Sequence, residues 1–285
     1  MLSYRHGFHA GNFADVFKHA LLLELIAALK RKDAAFFVLD THAGAGLYDL
    51  RSVHAQRLRE FDTGIGRLWQ TETLPQELLL YRDLVRSFNP TGQLRSYPGS
   101  PLLLQRVLRP QDRLALAELH PTDHANLEQA IRVRPGVELR HEDGLAVARA
   151  LMPPPENRGL VFIDPPYELQ REWRQVVKTV QEIHRRWRGG MLAIWYPLLP
   201  GRSASTFVQG LAALAIPKTL AAEIEVGAVR GSHGMYGCGV AVINPPWQLD
   251  TWLGGLLPSL MNLLAVESPR WRLNWLVAEK ISKAH

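Results

Sequence analysis

The 285-residue sequence predicts an α/β fold, a seven-stranded mostly parallel sheet with helices on both faces. Three observations predict it. Short apolar runs rich in β-branched and aromatic residues, such as residues 160–163, alternate with amphipathic segments of helical period. The first run, residues 35–40, feeds a Gly44-x-Gly46 turn, by which α/β proteins let a ligand approach the backbone closely. Four successive runs end in an acid: Asp40, Glu118, Asp143 and Asp164.

In chain order, a polar, aromatic and glycine-bearing stretch over residues 4–19 leads into a helix from Asp15 to about residue 29. Val16, Leu22, Leu23, Ile26 and Leu29 form its apolar face. Three histidines, two aromatics and two glycines crowded before a helix point to a ligand role for this stretch, the alternative being Asp15 as an N-cap with Lys18 and His19 in a solvated first turn. After the Gly-x-Gly turn the crossover helix is delayed to residues 100–108. Helix-like segments at 56–69 and 75–88 fill the gap. Residues 50–97 therefore read as a helical insertion after the first strand, between a main domain of residues 1–49 and 98–285. Arg51, Arg57, Arg59, Arg67, Arg82, Arg86 and Arg95 make it basic, fit to grip phosphates, the alternative being a solvated lid.

The βα rhythm then resumes. Strands are expected at 113–118, 137–143, 160–163 and 190–196, with helices at 122–133, 144–151, 169–187 and 205–214. The last strands, 219–226 and 239–243, are close enough for an antiparallel hairpin. Residues 270–275 (Arg-Trp-Arg-Leu-Asn-Trp) are expected to be an edge strand or packed tail, with RNA binding as the alternative.

A hydrophobic share of 47% supplies a core, and the longest apolar run is interrupted by Glu24, so no membrane span is expected. The N-terminus lacks the build of a signal peptide. Cys238 is the only cysteine, which excludes an intrachain disulfide and a cysteine-based zinc site and suits a cytoplasmic location. Metal binding through His42, Glu118, Asp143 and Asp164 lacks compact ligand spacing, and no metal is expected. A formal charge of +6 favours a polyanionic partner. There is no third glycine at dinucleotide spacing, no phosphate-loop Gly-Lys-Ser/Thr and no Gly-x-Ser-x-Gly elbow.

The most specific stretch is Asp164-Pro165-Pro166-Tyr167. Two prolines stop the strand at the edge where open α/β sheets bind ligands. A carboxylate, a carbonyl free of helix bonding and a flat ring suit a planar group bearing an exocyclic amine. Asp164 and the Pro165 carbonyl would accept its N–H bonds, and Tyr167 would stack on it. This motif is the signature of enzymes that methylate the amine of adenine or cytosine. A near copy, Asn244-Pro245-Pro246-Trp247, follows the seventh strand and is the rival. Asp164 is favoured, because the motif belongs after the fourth strand. Asn244 then stops a strand or walls the target pocket. At the second strand tip Glu118 suits ribose hydroxyls, and at the third Asp143 suits an adenine amine. That layout, with the seven-strand order, resembles the S-adenosylmethionine site of class I methyltransferases.

The resemblance goes further. Tyr4-Arg5-His6-x-Phe8-His9-Ala10-Gly11-Asn12-x-Ala14-Asp15-Val16-x-Lys18-His19, Asp40-Thr41-His42-Ala43-Gly44-x-Gly46, Tyr97-Pro98-Gly99-Ser100-Pro101, Glu118-Leu119-His120-Pro121, Asp143-Gly144 and Asp164-Pro165-Pro166-Tyr167 occur together in this order. Over nearly the whole chain this is similar to the RlmJ family of bacterial 23S ribosomal RNA adenine-N6 methyltransferases. The resemblance implies S-adenosylmethionine contacts from Lys18, His19, His42, Ser100, Glu118, Asp143, Gly144 and Asp164, to which the glycine turn adds Gly44. It implies Asp164 as proton acceptor and Tyr4 near the substrate adenosine, with His6 beside it in an N-terminal flap. Arg57, Arg59 and Arg67 are the expected RNA grips. The expected partner is 23S rRNA, unassembled or single-stranded at the target adenine, met by a monomer. A DNA adenine-N6 methyltransferase and a non-catalytic nucleic-acid-binding protein are the alternatives.

Overall fold

An eight-stranded sheet carries the fold in the computed structural model, which describes residues 5–201, 204–227, 234–264, 267 and 269–279. A 3-10 turn (His6–Phe8) precedes α1 (Phe13–Lys30). Its N-cap is Asn12, whose side chain accepts from the amides of Ala14 and Asp15, so the alternative of Asp15 as the cap does not hold. β1 (Phe37–Asp40) is buried throughout, as a strand covered on both faces must be. β2 (Leu47–Asp49) and β3 (Ser96–Pro98) pair antiparallel in a separate ribbon. Between them stand the insertion helices α2 (Val53–Leu58), α3 (Glu60–Thr63), α4 (Ile65–Gln70) and α5 (Gln76–Ser87). Helix α6 (Ser100–Val107), opened by Pro101 where its missing N–H costs nothing, is the delayed crossover.

The remaining elements are β4 (Arg113–Ala117), α7 (Pro121–Ala130), β5 (Val137–Arg140), α8 (Gly144–Leu151), β6 (Gly159–Ile163), α9 (Gln170–Arg186) and β7 (Met191–Leu198). Then follow α10 (Ala204–Ala213), β8 (Thr219–Glu225), β9 (Gly237–Ile243), α11 (Leu249–Leu264) and β10 (Arg270–Val277).

The sheet order is β10-β8-β9-β7-β6-β1-β4-β5. Strands β5, β4, β1, β6 and β7 run parallel, while β9 is antiparallel to both β7 and β8. This is the class I methyltransferase order with one strand more than expected. The extra strand is the edge strand β10, paired antiparallel to β8 from Arg270 opposite Glu225 to Trp275 opposite Leu220. Successive crossovers run outward from β1 to β4 and β5, then return to β6 on its other side. The order thus reverses between β1 and β6, where a crevice opens above the carboxyl ends of the strands.

Candidate active site

The crevice is a cavity of about 1080 Å³, above the usual range for a single small ligand. The tips of β1, β4 and β6 and the first turns of α1 and α8 surround it. Asp164 follows β6 directly, and its Oδ2 lies 2.7 Å from Lys18 Nζ. Lys18 lies on α1 with its ammonium also 2.8 Å from Asp15 Oδ1 and over the Trp195 ring. One buried cation thus bridges two carboxylates.

Asp15 is fully buried. Its Oδ2 accepts the Gly11 N–H at 2.7 Å and meets His6 Nε2 at 3.0 Å. Burial works to raise the Asp15 carboxyl, but His6 and Lys18 overcome it and hold it well below the ordinary value. Sequence reading missed this role. An acid three residues before a lysine on a helix was the available signal for the pairing.

A second wall of the cavity is built by the strand ends. Glu118 Oε2 accepts the Gly44 N–H at 2.8 Å and Oε1 accepts the His120 N–H at 2.7 Å. Burial raises its pKa against those two hydrogen bonds. A carboxylate has about four acceptor positions, so each oxygen retains capacity for a ligand hydroxyl. Gly44 holds φ at +64°, which glycine adopts without strain. Asp143 caps α8, its Oδ1 accepting from Leu145 and Ala146, which leaves Oδ2 for the cavity. At Gly144 a Cβ would collide with the Thr41 carbonyl, so only glycine lets α8 start this close to the end of β1.

His42 packs beside Thr41, its Nδ1 2.8 Å from the hydroxyl. Burial lowers the pKa of His42 to about 4 and that of His19 to about 3, so both are neutral near pH 7. Ser100 donates to Asp40 Oδ2 at 2.6 Å, deep at the end of β1, leaving only acceptor capacity for a cavity ligand. Acceptors at two strand tips, neutral imidazoles and a buried ammonium suit a ligand with a sugar diol, an aminated base and a carboxylate. Lys18, His19, His42, Gly44, Ser100, Glu118, Asp143, Gly144 and Asp164 are all brought to this cavity.

Other expectations need correction. Tyr167 does not face the cavity. Its φ is +52°, its ring is buried against Trp173 and Phe207, and its hydroxyl donates to the Trp195 carbonyl at 2.7 Å. It anchors the turn from below rather than offering a face for stacking. Asn244 ends β9, which runs opposite to β6, so it lies at the far edge of the sheet from Asp164. There its Nδ2 donates to the Arg188 and Gly190 carbonyls at 2.7 and 2.8 Å, stopping the strand rather than walling the pocket.

Two of the expected RNA grips are engaged within the protein. Arg59 pairs with Asp62 at 2.7 Å, and Arg67 donates to the Leu263 carbonyl at 3.0 Å, fastening α4 to α11. Arg57 is exposed. Tyr4 lies outside the described residues, whereas His6 lines the cavity, edge-on to Tyr48. The insertion adds a residue that sequence reading passed over. Glu60 of α3 takes His9 Nδ1 at 2.9 Å and the Asn12 amide at 3.0 Å, joining the insertion to the cavity rim. That contact spans 51 positions, and no local pattern announces it.

Among the described residues no group of three or more His, Cys, Asp or Glu side chains is placed to hold a metal ion, and no helix is long and apolar enough to cross a membrane.

The family model described as ribosomal RNA large subunit methyltransferase D, RlmJ, matches residues 33–277. The chain is 42% identical over 280 residues to the ribosomal RNA large subunit methyltransferase J of Escherichia coli K12, covering 98% of this chain and all of that one. It is 41% identical over 281 residues to the protein of the same name from Haemophilus influenzae, with 98% and 100% covered. A crystal structure of a Legionella pneumophila protein superposes with a TM-score of 0.88 at 35% identity, over 93% of this chain and 98% of that one. A family model spanning most of the sequence and two full-length relatives above 40% identity place the chain in the RlmJ family of ribosomal RNA large subunit methyltransferases.

Proposed function

We propose that the protein transfers a methyl group from S-adenosylmethionine to the exocyclic N6 of an adenine in 23S ribosomal RNA. The observation that carries this reading is Asp164, a carboxylate at the tip of β6, held by Lys18 at the floor of the cavity and followed by Pro165. The names of the full-length relatives supply the RNA.

S-adenosylmethionine supplies a methyl group on a cationic sulfur. Glu118 would take the ribose hydroxyls, Asp143 the adenine amine, and Lys18, His19 and Ser100 the amino-acid end. The target amine is a poor nucleophile because its lone pair is delocalised into the ring. Asp164 Oδ1 and the Pro165 carbonyl accept its two N–H bonds and favour a more tetrahedral nitrogen. They also stabilise the positive charge that develops there. Lys18 fixes the other oxygen of Asp164, so the acceptor is oriented before the base arrives. Asp164 takes the proton released during or after transfer. Tyr167 serves this step by anchoring the Asp-Pro-Pro backbone. The base must be unpaired or flipped to enter, which favours 23S rRNA that is unassembled or single-stranded at the target adenine.

The test is transfer of labelled methyl to hypomethylated 23S rRNA and to plasmid DNA, with mapping of the methylated atom. Label in RNA at adenine N6, abolished by Asp164→Ala with cofactor affinity changed only modestly, supports the reading. Label in DNA, or at another atom, overturns it.

A further inference from the structure

Several of the insertion's arginines have partners within the protein, Arg51 with Asp49, Arg59 with Asp62 and Arg67 with a carbonyl, and Arg82 is buried, while Arg57, Arg86 and Arg95 are exposed. Helix α9 provides a further cationic surface. Trp173, Val176, Val180 and Ile183 bury one side of this helix under the sheet. On the opposite side Arg171, Arg174, Lys178 and Arg185 are exposed at intervals of three, four and seven residues, which align on one helical face.

Fourteen helical rises from Arg171 to Arg185 make this stripe about 21 Å long. It begins at the active site, where Arg171 and Gln175 line the cavity rim. Arg171, Arg174 and Arg185 form no ion pair among the described residues, and Lys178 meets only Glu182, at 3.9 Å. The flanking helices do not neutralise the stripe. Arg149 is the only charged residue of α8, and α10 has none.

We propose that the solvent face of α9 is the track along which the backbone phosphates of the RNA substrate leave the active-site cavity. This rests on the function proposed above and adds where the RNA lies. A protein partner fits less well. Stable protein interfaces centre on apolar anchors, and none of the large exposed apolar side chains falls between Gln170 and Arg186. Phosphates need no such anchor. A row of long cationic side chains fixes register and orientation on a nucleic acid without reading its sequence. Because the helix starts at the cavity rim, a strand gripped along it delivers its next nucleotide to the pocket.

The experiment uses the full-length enzyme and 23S rRNA transcribed in vitro, bound over a series of KCl concentrations. Each phosphate contact contributes roughly 0.7 to 0.9 to the slope of log affinity against log salt. Replacing Arg174, Lys178 and Arg185 together by Ala should flatten the slope by about two. KM for RNA should rise about tenfold or more, with kcat and cofactor affinity unchanged. Arg174→Lys with Arg185→Lys should retain the wild-type slope, because the charge remains. Replacing Arg51 and Arg59 by Ala should leave the slope nearly intact. An unaltered slope and KM in the triple variant overturns the track and leaves the face to an acidic protein. An affinity loss of equal size at every salt concentration also overturns it. If the wild-type enzyme methylates no RNA, the proposed function falls, whereas the salt slope judges the track separately.

Discussion

The Tyr97 hydroxyl lies 2.7 Å from His19 Nδ1, and the Tyr81 hydroxyl stands 2.8 Å behind it. All three side chains are buried, and Tyr81 has no other hydrogen-bond partner among the described residues. If His19 donated through Nδ1, Tyr97 would donate to Tyr81, and the Tyr81 proton would have no acceptor. The chain therefore runs from Tyr81 to Tyr97 to His19, which places the imidazole proton on Nε2 and leaves that donor for the cavity wall. Nitrogen-15 NMR should show the Nε2–H tautomer at His19. Tyr97→Phe orphans the Tyr81 hydroxyl and should cost about 1–3 kcal/mol of stability, with a several-fold loss of cofactor affinity. An Nδ1–H tautomer in the wild-type protein would reverse the chain.

Asp40 makes stability pH-dependent. Burial raises its pKa to about 7 from an ordinary value near 3.8, against the Ser100 hydrogen bond. Between these values the folded protein holds a proton that the unfolded chain has released. Its contribution to stability is therefore largest at low pH, falls as pH rises through the window and levels off above 7. Asp40→Asn removes this dependence. Urea unfolding at pH 5 and pH 8 should show the wild-type protein losing about 2–3 kcal/mol more than the variant. Equal losses would mean that Asp40 titrates normally.

Tyr167→Phe tests the hydroxyl anchor while keeping the ring. Loss of the bond to the Trp195 carbonyl should reduce unfolding free energy by about 1–2 kcal/mol and leave KM for RNA unchanged. Unchanged stability would mean that the hydroxyl does not anchor the turn.

Asn244→Ala removes two backbone carbonyl partners and the residue type best suited to φ of +52°. The variant should lose about 2–3 kcal/mol of stability, with kcat per folded molecule intact. Collapse of kcat in a stably folded variant would make Asn244 the amine acceptor.

Strand order and the acids at the strand tips were legible because each rests on a local pattern: an apolar run, a breaker, an acid. What the sequence could not show depends on direction and distance. Asp164-Pro165-Pro166 and Asn244-Pro245-Pro246 look alike in one dimension, yet antiparallel β9 sends the second copy to the other sheet edge. The motif gave Tyr167 a spacing but not an orientation, and a left-handed backbone turns its ring inward. Arg67 looked like a phosphate grip because its bond to the Leu263 carbonyl, 196 positions away, leaves no trace in local composition.

Helix α1 carries Lys18 and His19 on the cavity side and also packs against α5 of the insertion. Gly11 and Asn12 at its start take contacts from Ile65 and Glu60. The insertion is therefore no detachable module. A chimera that borrows residues 50–97 from a relative must borrow the matching α1 surface too, or Lys18 and His19 lose their alignment in the cavity.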